Sequence, residues 1–580
     1  MRMFESTLLL VFLVASGQHS SAQTLKQVDH QAQSDAKGSS TPSSPMDVAI
    51  DKIIARERDQ VIAISLYKPI VETYVQELKS DKAMGAVPSH DHYFLGQADL
   101  GQGVVFRSML TKHHAKILKP LDSLESASSG SYAPGGFLEE IFVDRRGIDR
   151  QHYKYDYVGR EFLGDVRCVV FDLTPLPKSG QGRFSGRIWA EDHDYTIVRF
   201  NGTFVSKVSW ASLVRDGFVH FDSWRLNVQP GLWLPAYTFD HESKGNPKAP
   251  DHFKSQTRLW GYNITSARRQ QEFSDLTIDS ADAVDDHAAD SDTLPLEAQR
   301  AWQHQAESNA IDALEKAGLL APAGSVDKVL NTVVNNLEVT NNLDIEPELR
   351  CRVLVTSTFE LFSIGHTIIL SRGLLDVLPD EATLATMLAV EVADAMLPKP
   401  SIDIYGFNDL VKVPTLETMH QFSFRNTKED NLAANQKALE LLRNSPYRDK
   451  LGNAGLFLEE LAYHKDALTA LISPRLGNGV NLASQLRASA TQRKPEALDQ
   501  IAALPIGGRI KLDPWDDNVE LLKGKNAPLV SAREKMPFEV TPFMPHLTRY
   551  KSPAEAAKPE TSSTTSPEAA LRPTAQGEQK

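Results

Sequence analysis

Arg167-Cys168-Val169-Val170-Phe171-Asp172-Leu173, then Gly186-Arg187-Ile188-Trp189-Ala190 and Thr196-Ile197-Val198-Arg199-Phe200, is the stretch whose reading decides the fold. Each run is short, rich in β-branched and aromatic residues, and partly alternates polar with apolar side chains. That pattern suits a pleated surface whose successive side chains point to opposite faces. Glu191-Asp192-His193-Asp194 separates two of the runs as a turn, and Gly103-Val104-Val105-Phe106-Arg107 repeats the pattern upstream. The spacing predicts an antiparallel sheet domain over residues 90–270, either a barrel or a strongly curved sheet.

Outside that region the periodicity changes to 3.6. Ile50, Ile53, Ile54, Val61, Ile62 and Ile64 form an apolar face opposite Arg56, Glu57, Arg58 and Asp59, which predicts a helix from Met46 to about Lys79, broken or kinked at Pro69. Helical character returns near Leu296 and continues to about Arg487, with Val326, Val329, Leu330, Val333, Val334 and Leu337 as a stripe at i, i+3, i+4. Within it, Arg352-Val353-Leu354-Val355 and His366-Thr367-Ile368-Ile369-Leu370 read as two strands around a turn at Ser363-Ile364-Gly365. The fold class is therefore α+β and multidomain: a curved antiparallel sheet domain followed by a mostly helical domain.

The flanks have their own signatures. Arg2, the apolar run Leu8–Ala15 and Ser20-Ser21-Ala22 form a signal peptide pattern over 1–22, and an apolar run this short does not span a bilayer. The expected division continues with a disordered leader 23–45, the β domain with its N-terminal helix 46–270, an acidic linker and helix 271–320, and the helical domain 321–487. An extended wrapping segment 488–550 and a disordered tail 551–580 complete it. Seven aspartates between residues 274 and 293 make the linker a solvated acidic stretch, without the Gly and terminal Glu of a calcium loop. The reading is thus of an exported protein, periplasmic or extracellular, with no integral membrane span.

Composition narrows the function. With 41% hydrophobic and 24% charged residues, the 580-residue chain buries ordinary cores, which excludes wholesale disorder, collagen and a multi-spanning membrane protein. A net charge of −13 excludes a nucleic-acid binder held by a basic face. Cys168 and Cys351 alone supply neither a disulfide framework nor a CxxC zinc site. Any metal would depend on histidine and carboxylate.

Pro379-Asp380-Glu381 opens a helix in the favoured way, with proline and acids in the first turn. The helix runs on as Ala382-Thr383-Leu384-Ala385-Thr386-Met387-Leu388-Ala389-Val390-Glu391-Val392-Ala393-Asp394-Ala395, behind Gly365-His366-Thr367-Ile368-Ile369-Leu370-Ser371-Arg372-Gly373-Leu374-Leu375. Strand, Gly-Leu-Leu and acid-opened helix resemble metallopeptidase family 48, the HtpX, BepA and CAAX prenyl protease type, over residues 320–480. The resemblance implies a zincin-like helical domain whose HExxH helix supplies two zinc histidines and a general-base Glu, with a third ligand from a later ExxAD segment. On that pattern the first histidine falls on Val390, the base on Glu391, and the second histidine on Asp394. Asn431-Leu432-Ala433-Ala434-Asn435 stands for ExxAD, so Asn431 and Asn435 replace its two acids. A shifted match offers Glu429 or Asp430 instead. Valine has no donor atom and an amide is a poor zinc ligand, so zinc and activity are expected to be lost. Glu391, Asp394 and Asp430 are a candidate trio for a hard cation such as calcium, against the reading of a solvated helix face. His366, His420 and His464 lack ligand spacing.

Tyr157–Pro175 followed by Phe184–Asp192, with Leu232-Trp233-Leu234-Pro235 as a late strand, looks like the LolA-type lipoprotein carrier family, over residues 65–270. That implies a curved sheet with helices covering an apolar cavity for acyl chains. Trp189, Phe200, Phe204, Trp210, Trp224 and Trp233 either pack the sheet or line such a groove. The sequons Asn201-Gly202-Thr203 and Asn263-Ile264-Thr265 carry little weight in a bacterial host. The expected function is an exported envelope protein, metallopeptidase-like but inactive, that binds an envelope lipid, lipoprotein or polypeptide and needs no cofactor. One alternative is an active zinc-dependent metalloendopeptidase with Glu391 as general base at an atypical site. The other is a periplasmic lipid or lipoprotein carrier acting through the β domain.

Overall fold

The helix that begins at Pro45 stops at Ser65 rather than running on to Lys79 (α1, Pro45–Ser65). Beyond Pro69 the chain becomes a strand, β1 (Ile70–Asp81). Proline lacks the amide that would continue the helix and biases the residue before it toward extended backbone. Val71, Thr73 and Val75 then alternate with Ile70, Glu72 and Tyr74 at a period of two. This computed structural model describes residues 44–81, 85–101, 104–110, 132, 134–205, 218–243, 253–262, 295–397, 424–479, 482, 486, 510–513, 518–521, 540 and 543–550. The signal peptide pattern, most of the leader, the acidic linker, Trp210, Asn263, His420, residues 488–509 and the C-terminal tail lie outside the described residues.

Nine further strands join β1: β2 (Gly85–Asp99), β3 (Val105–Ser108), β4 (Tyr153–Leu163), β5 (Val166–Pro175), β6 (Arg183–Glu191), β7 (Ile197–Val205), β8 (Phe218–Gln229), β9 (Leu232–Ser243) and β10 (Phe253–Trp260). They form one antiparallel sheet in the order β3-β2-β1-β10-β9-β8-β7-β6-β5-β4. It is open, with β3 and β4 at its edges, and is not a barrel. The one departure from a simple meander is β10, which returns to pair with β1.

Both faces of the sheet are covered by protein. On one, Ile50 and Ile53 of α1 pack against Phe171, Ile188, Phe200 and Phe221, while Ile64 meets Val71, Leu234 and Leu259. The short helix α2 (Pro134–Glu139) and the turn after it add Leu138, Ile141 and Phe142. Each buried aliphatic or aromatic side chain contributes about 1.5–3 kcal/mol. A buried ion pair fixes the helix in register: Arg225 Nη1 and Nη2 donate to Glu57 Oε2 and Oε1 at 2.7 and 2.8 Å. On the opposite face, Cys168, Val170, Trp189, Trp224, Tyr237 and Trp260 belong to the same core as the helical half.

The helical half comprises α3 (Pro295–Lys316), α4 (Ser325–Thr340), α5 (Arg372–Val377), α6 (Glu381–Ala395), α7 (Lys428–Arg443), α8 (Leu451–His464) and α9 (Thr469–Ile472). Its small sheet has three strands where two were expected: β11 (Arg350–Leu354), β12 (Leu361–Ile364) and β13 (Thr367–Ser371), in the order β11-β13-β12. Leu361–Ile364, partly assigned to the turn by sequence, is itself a strand, and the turn is Gly365-His366, with Gly365 at φ +54°. All four residues of β12 are buried, so it shows no alternation to read. A hairpin of β14 (Ile510–Asp513) and β15 (Asn518–Leu521) follows.

Residues Met46–Lys580 cluster as one unit, and the contacts between the large sheet and the helical half are specific. Glu72 on β1 accepts from Tyr93 Oη, Arg258 Nη1, Ser357 N and Ser357 Oγ at 2.7, 2.9, 2.6 and 2.7 Å. Asp91 on β2 accepts from the Ala470 and Leu471 amides, both at 2.8 Å. Trp260 Nε1 donates to the Gly318 carbonyl at 2.9 Å. Glu72, Asp91 and the Trp260 indole thus find partners, which is the condition for withdrawing them from water without a large desolvation penalty, while among the described residues Arg258 Nη2 has none.

Candidate functional site

α6 sets the site. Asp380 caps it, accepting from the Thr383 amide at 2.8 Å. Every residue from Ala382 to Asp394 is buried, so the helix threads the core rather than floating on it. Glu391 is 4% exposed and Asp394 5%, which excludes the solvated-face reading for both. α7 packs alongside, capped by Thr427, and turns Asn431, Ala434 and Asn435 toward α6. A third wall comes from the segment after α9. Gly477 lies so close to the Leu361 carbonyl that an added Cβ would stand 2.2 Å from it, and Asn478 and Gly479 follow. Phe424 stacks on Phe362 with ring centroids 5.0 Å apart and hydrogen-bonds through its amide to the Leu476 carbonyl, which brings Asn426 to the rim.

The result is a narrow cleft whose inner space, about 10 Å³, has room for one water, lined by Val390, Glu391, Asp394, Asn426, Asn431, Ala434, Asn435, Asn478 and Gly479. Val390, Glu391, Asp394, Asn431 and Asn435, chosen from sequence alone, thus share one cleft. Asn426 and Asn478 were missed because lone asparagines in loops carry no spacing signal; the Thr427 cap beside Asn426 was the available hint.

Hydrogen bonds decide what the cleft can hold. Asp394 Oδ1 accepts from Asn426 Nδ2 at 2.6 Å, and Oδ2 accepts from Ser363 Oγ at 3.2 Å. Asn478 Oδ1 accepts from the Asn426 amide at 3.0 Å and from Asn431 Nδ2 at 3.4 Å. Asp430 is turned to its own helix cap, bonded to Thr427 Oγ1 at 2.7 Å, and Glu429 is exposed. Neither lines the cleft, so the Glu391, Asp394 and Asp430 trio is not assembled. His366 pairs with Glu307 at 3.5 Å and His464 with Glu460 at 2.7 Å, both away from the cleft lining. Among the described residues no group of three or more His, Cys, Asp and Glu is placed to hold a metal. A catalytic zinc needs three protein ligands. Here one expected position is an aliphatic side chain, one a carboxylate engaged by an amide and a hydroxyl, and one an amide, so these residues do not fit zinc. The thiols are no substitute: burial pushes both Cys168 and Cys351 up to about 12.

What remains is a small polar cleft, amide-rich and partly buried. Each asparagine offers two donors and an acceptor, and the two carboxylates, when ionised, add acceptors. Of these, Asn426 Nδ2, Asn431 Nδ2 and Asn478 Oδ1 are engaged with one another or with Asp394, and the remaining donors and acceptors face the cleft's mixed polar lining.

On the sheet, Trp189, Trp224 and Trp233 face the helical half, whereas Phe200 faces α1. The Arg199 guanidinium lies 4.5 and 4.4 Å from the Trp189 and Trp224 ring centroids and is held by both oxygens of Asp222 at 2.8 Å. These aromatics are therefore engaged in packing and cation–π contacts.

Among the described residues no helix is long and apolar enough to cross a membrane. No family model and no curated protein matches the chain. Solved structures similar to it include a LolA superfamily protein from Nitrosomonas europaea, at 11% identity and a TM-score of 0.23, covering 37% of this chain and 91% of that one. A domain of an outer membrane lipoprotein-sorting protein from Vibrio parahaemolyticus is 8% identical at a TM-score of 0.23, covering 38% and 98%. A DUF1329 family protein from Desulfovibrio piger is 14% identical at a TM-score of 0.23, covering 38% and 94%. These likenesses concern the N-terminal part of the chain.

Proposed function

We propose that this chain is a non-catalytic binding protein of an extracytoplasmic compartment, which holds a polypeptide segment at the cleft between α6 and α7. The observation that supports this reading most is the lining itself. Val390 stands where a first zinc ligand would be needed, Asp394 is tied to Asn426 and Ser363, and asparagines fill the remaining polar positions. Glu391 keeps the place of a general base, without a set of three His, Cys, Asp or Glu among the described residues that would hold a metal-bound water beside it. The test measures metal and peptide together. Protein purified without chelators is expected to contain no stoichiometric zinc and to leave unstructured peptides intact, while Asn431→Leu weakens its binding of them. Stoichiometric zinc with hydrolysis abolished by Glu391→Gln would establish the metalloendopeptidase instead.

A lipid or lipoprotein ligand on the sheet is the second reading, favoured by the tryptophan-lined face. That face and its opposite are covered by protein, so an acyl chain must displace part of the cover to enter. Saturable binding of a fluorescent fatty acid that leaves peptide binding at the cleft unchanged would favour it.

A further inference from the structure

Residues 543–550, with Val540 before them, have no regular secondary structure, yet they are held to the large sheet along their length. The Val540 amide donates to Gln76 Oε1 at 2.7 Å, the Phe543 amide to Tyr237 Oη at 3.1 Å, and the Tyr550 amide to Asn227 Oδ1 at 2.7 Å. The sheet donates back once, from the Asp165 amide to the Leu547 carbonyl at 2.8 Å. These bonds all run to main-chain atoms of the segment, a mode of recognition that tolerates many sequences. Three side chains add selectivity: Val540, 5% exposed, shares the core that holds Leu547, and Arg549 forms an ion pair. Leu547 is fully buried in the core formed with the tryptophan-lined face, whereas Phe543 and Met544 are 55% and 65% exposed. Leu547 fits because Gly164, at φ +65°, carries no Cβ: one placed there would lie 2.6 Å from the Leu547 main chain. Two residues on, Arg549 Nη2 reaches the wholly buried Glu191 carboxylate at 2.7 Å.

We infer that this groove is a polypeptide-binding site, and that residues 543–550, with Val540, are its resident, displaceable occupant. It would accept an extended segment with an aliphatic residue and an arginine two positions later. The segment has the features of a bound peptide: main-chain hydrogen bonds to fixed groups of the sheet, two buried apolar anchors in Val540 and Leu547, and polar contacts from Arg549 to Glu191 and Asp192 and from His546 to Asp165. An occupant tethered to its own site competes with an incoming chain at an effective concentration on the order of mM, so the groove is closed to weak ligands and opens to strong or multivalent ones. The site is remote from the α6–α7 cleft in its residues and does not depend on the function proposed there.

A fluorescent peptide of residues 540–551 is titrated into the full chain and into full chains carrying Leu547→Asp or Arg549→Glu, with polarisation as the readout. Both variants are expected to take the peptide about tenfold more tightly than the unchanged chain, because their own segment competes less well. A peptide that itself carries Leu547→Asp is expected not to bind. Arg549 is partly exposed, so its replacement leaves the core intact and is read alone if Leu547→Asp does not fold. Folded variants that bind the peptide no better than the unchanged chain, or that bind both peptides equally, overturn the inference.

Discussion

Replacing Glu72 with leucine tests how the sheet and the helical half are joined. The Glu72 carboxylate accepts four hydrogen bonds, two of them from Ser357 on the helical side. Without it, Arg258 retains the Val355 carbonyl at 3.2 Å and Ser357 Oγ at 3.3 Å, while its Nη2 already lacks a hydrogen-bond partner. In the unchanged protein burial pushes the Arg258 guanidinium down to about 10, and Glu72 is among the groups that hold it up. Removing one member of a buried pair costs about 3–5 kcal/mol. That is a large part of a domain stability of about 5–15 kcal/mol. The assay is urea unfolding at pH 7 followed by tryptophan fluorescence, with Trp260 beside the joint. Glu72→Leu is expected to lower the midpoint strongly. The double variant with Arg258→Met is expected to recover most of the loss, since exchanging a whole buried pair for apolar groups is often neutral. A shift below about 1 kcal/mol for the single variant, or additive losses in the double, would refute the reasoning.

Other consequences are direct. Glu140 and Asp240 share a buried site in which burial, and for Glu140 also the neighbouring carboxyl, raises both above the ordinary carboxylate range. A folded-state pKa raised above the unfolded value of about 4 gives stability that is full below pH 4 and lost as pH rises through the folded value. Asp240→Asn is therefore expected to flatten the decline in melting temperature above pH 4, and an unchanged slope would contradict it. Gly373→Ala places a Cβ 1.8 Å from the Ser357 carbonyl and is expected to cost about 1–3 kcal/mol in urea unfolding. Cys168 and Cys351, buried and held protonated, are expected to resist a thiol reagent in the native protein and to react on unfolding.

In the large sheet, β3, β5, β6 and β7 were legible through short runs of β-branched and aromatic residues between turn residues, whereas β1 was read as helix. β12 was not legible, being buried throughout. The first helix was read too long because Ile70 and Val71 continue an apolar count that does not register the change of period after Pro69. The cleft residues on α6 and α7 were legible through a helix pattern, whereas Asn426 and Asn478 reach the site only through the Phe424 stack and the Gly477 approach. The joint was the least visible part. Glu72, Asp91 and Arg258 are polar residues on strands, indistinguishable in sequence from side chains facing water, and only partners 99 to 380 residues away show that Glu72 and Arg258 are buried and Asp91 partly so.

The resident segment of the groove also sets an order of events. Chain emerges N-terminus first, and β10 ends at Trp260, whereas Leu547 follows 287 residues later (547 − 260). Where folding keeps pace with synthesis at about 5–20 residues per second, roughly 15–60 s separates the finished sheet from its last cover. Through that interval the face carrying Trp189 and Trp224 waits for a segment that does not yet exist. Assembly of this protein thus has a built-in delay during which the same surface is open to any passing extended chain, including a neighbouring copy at the same stage of manufacture.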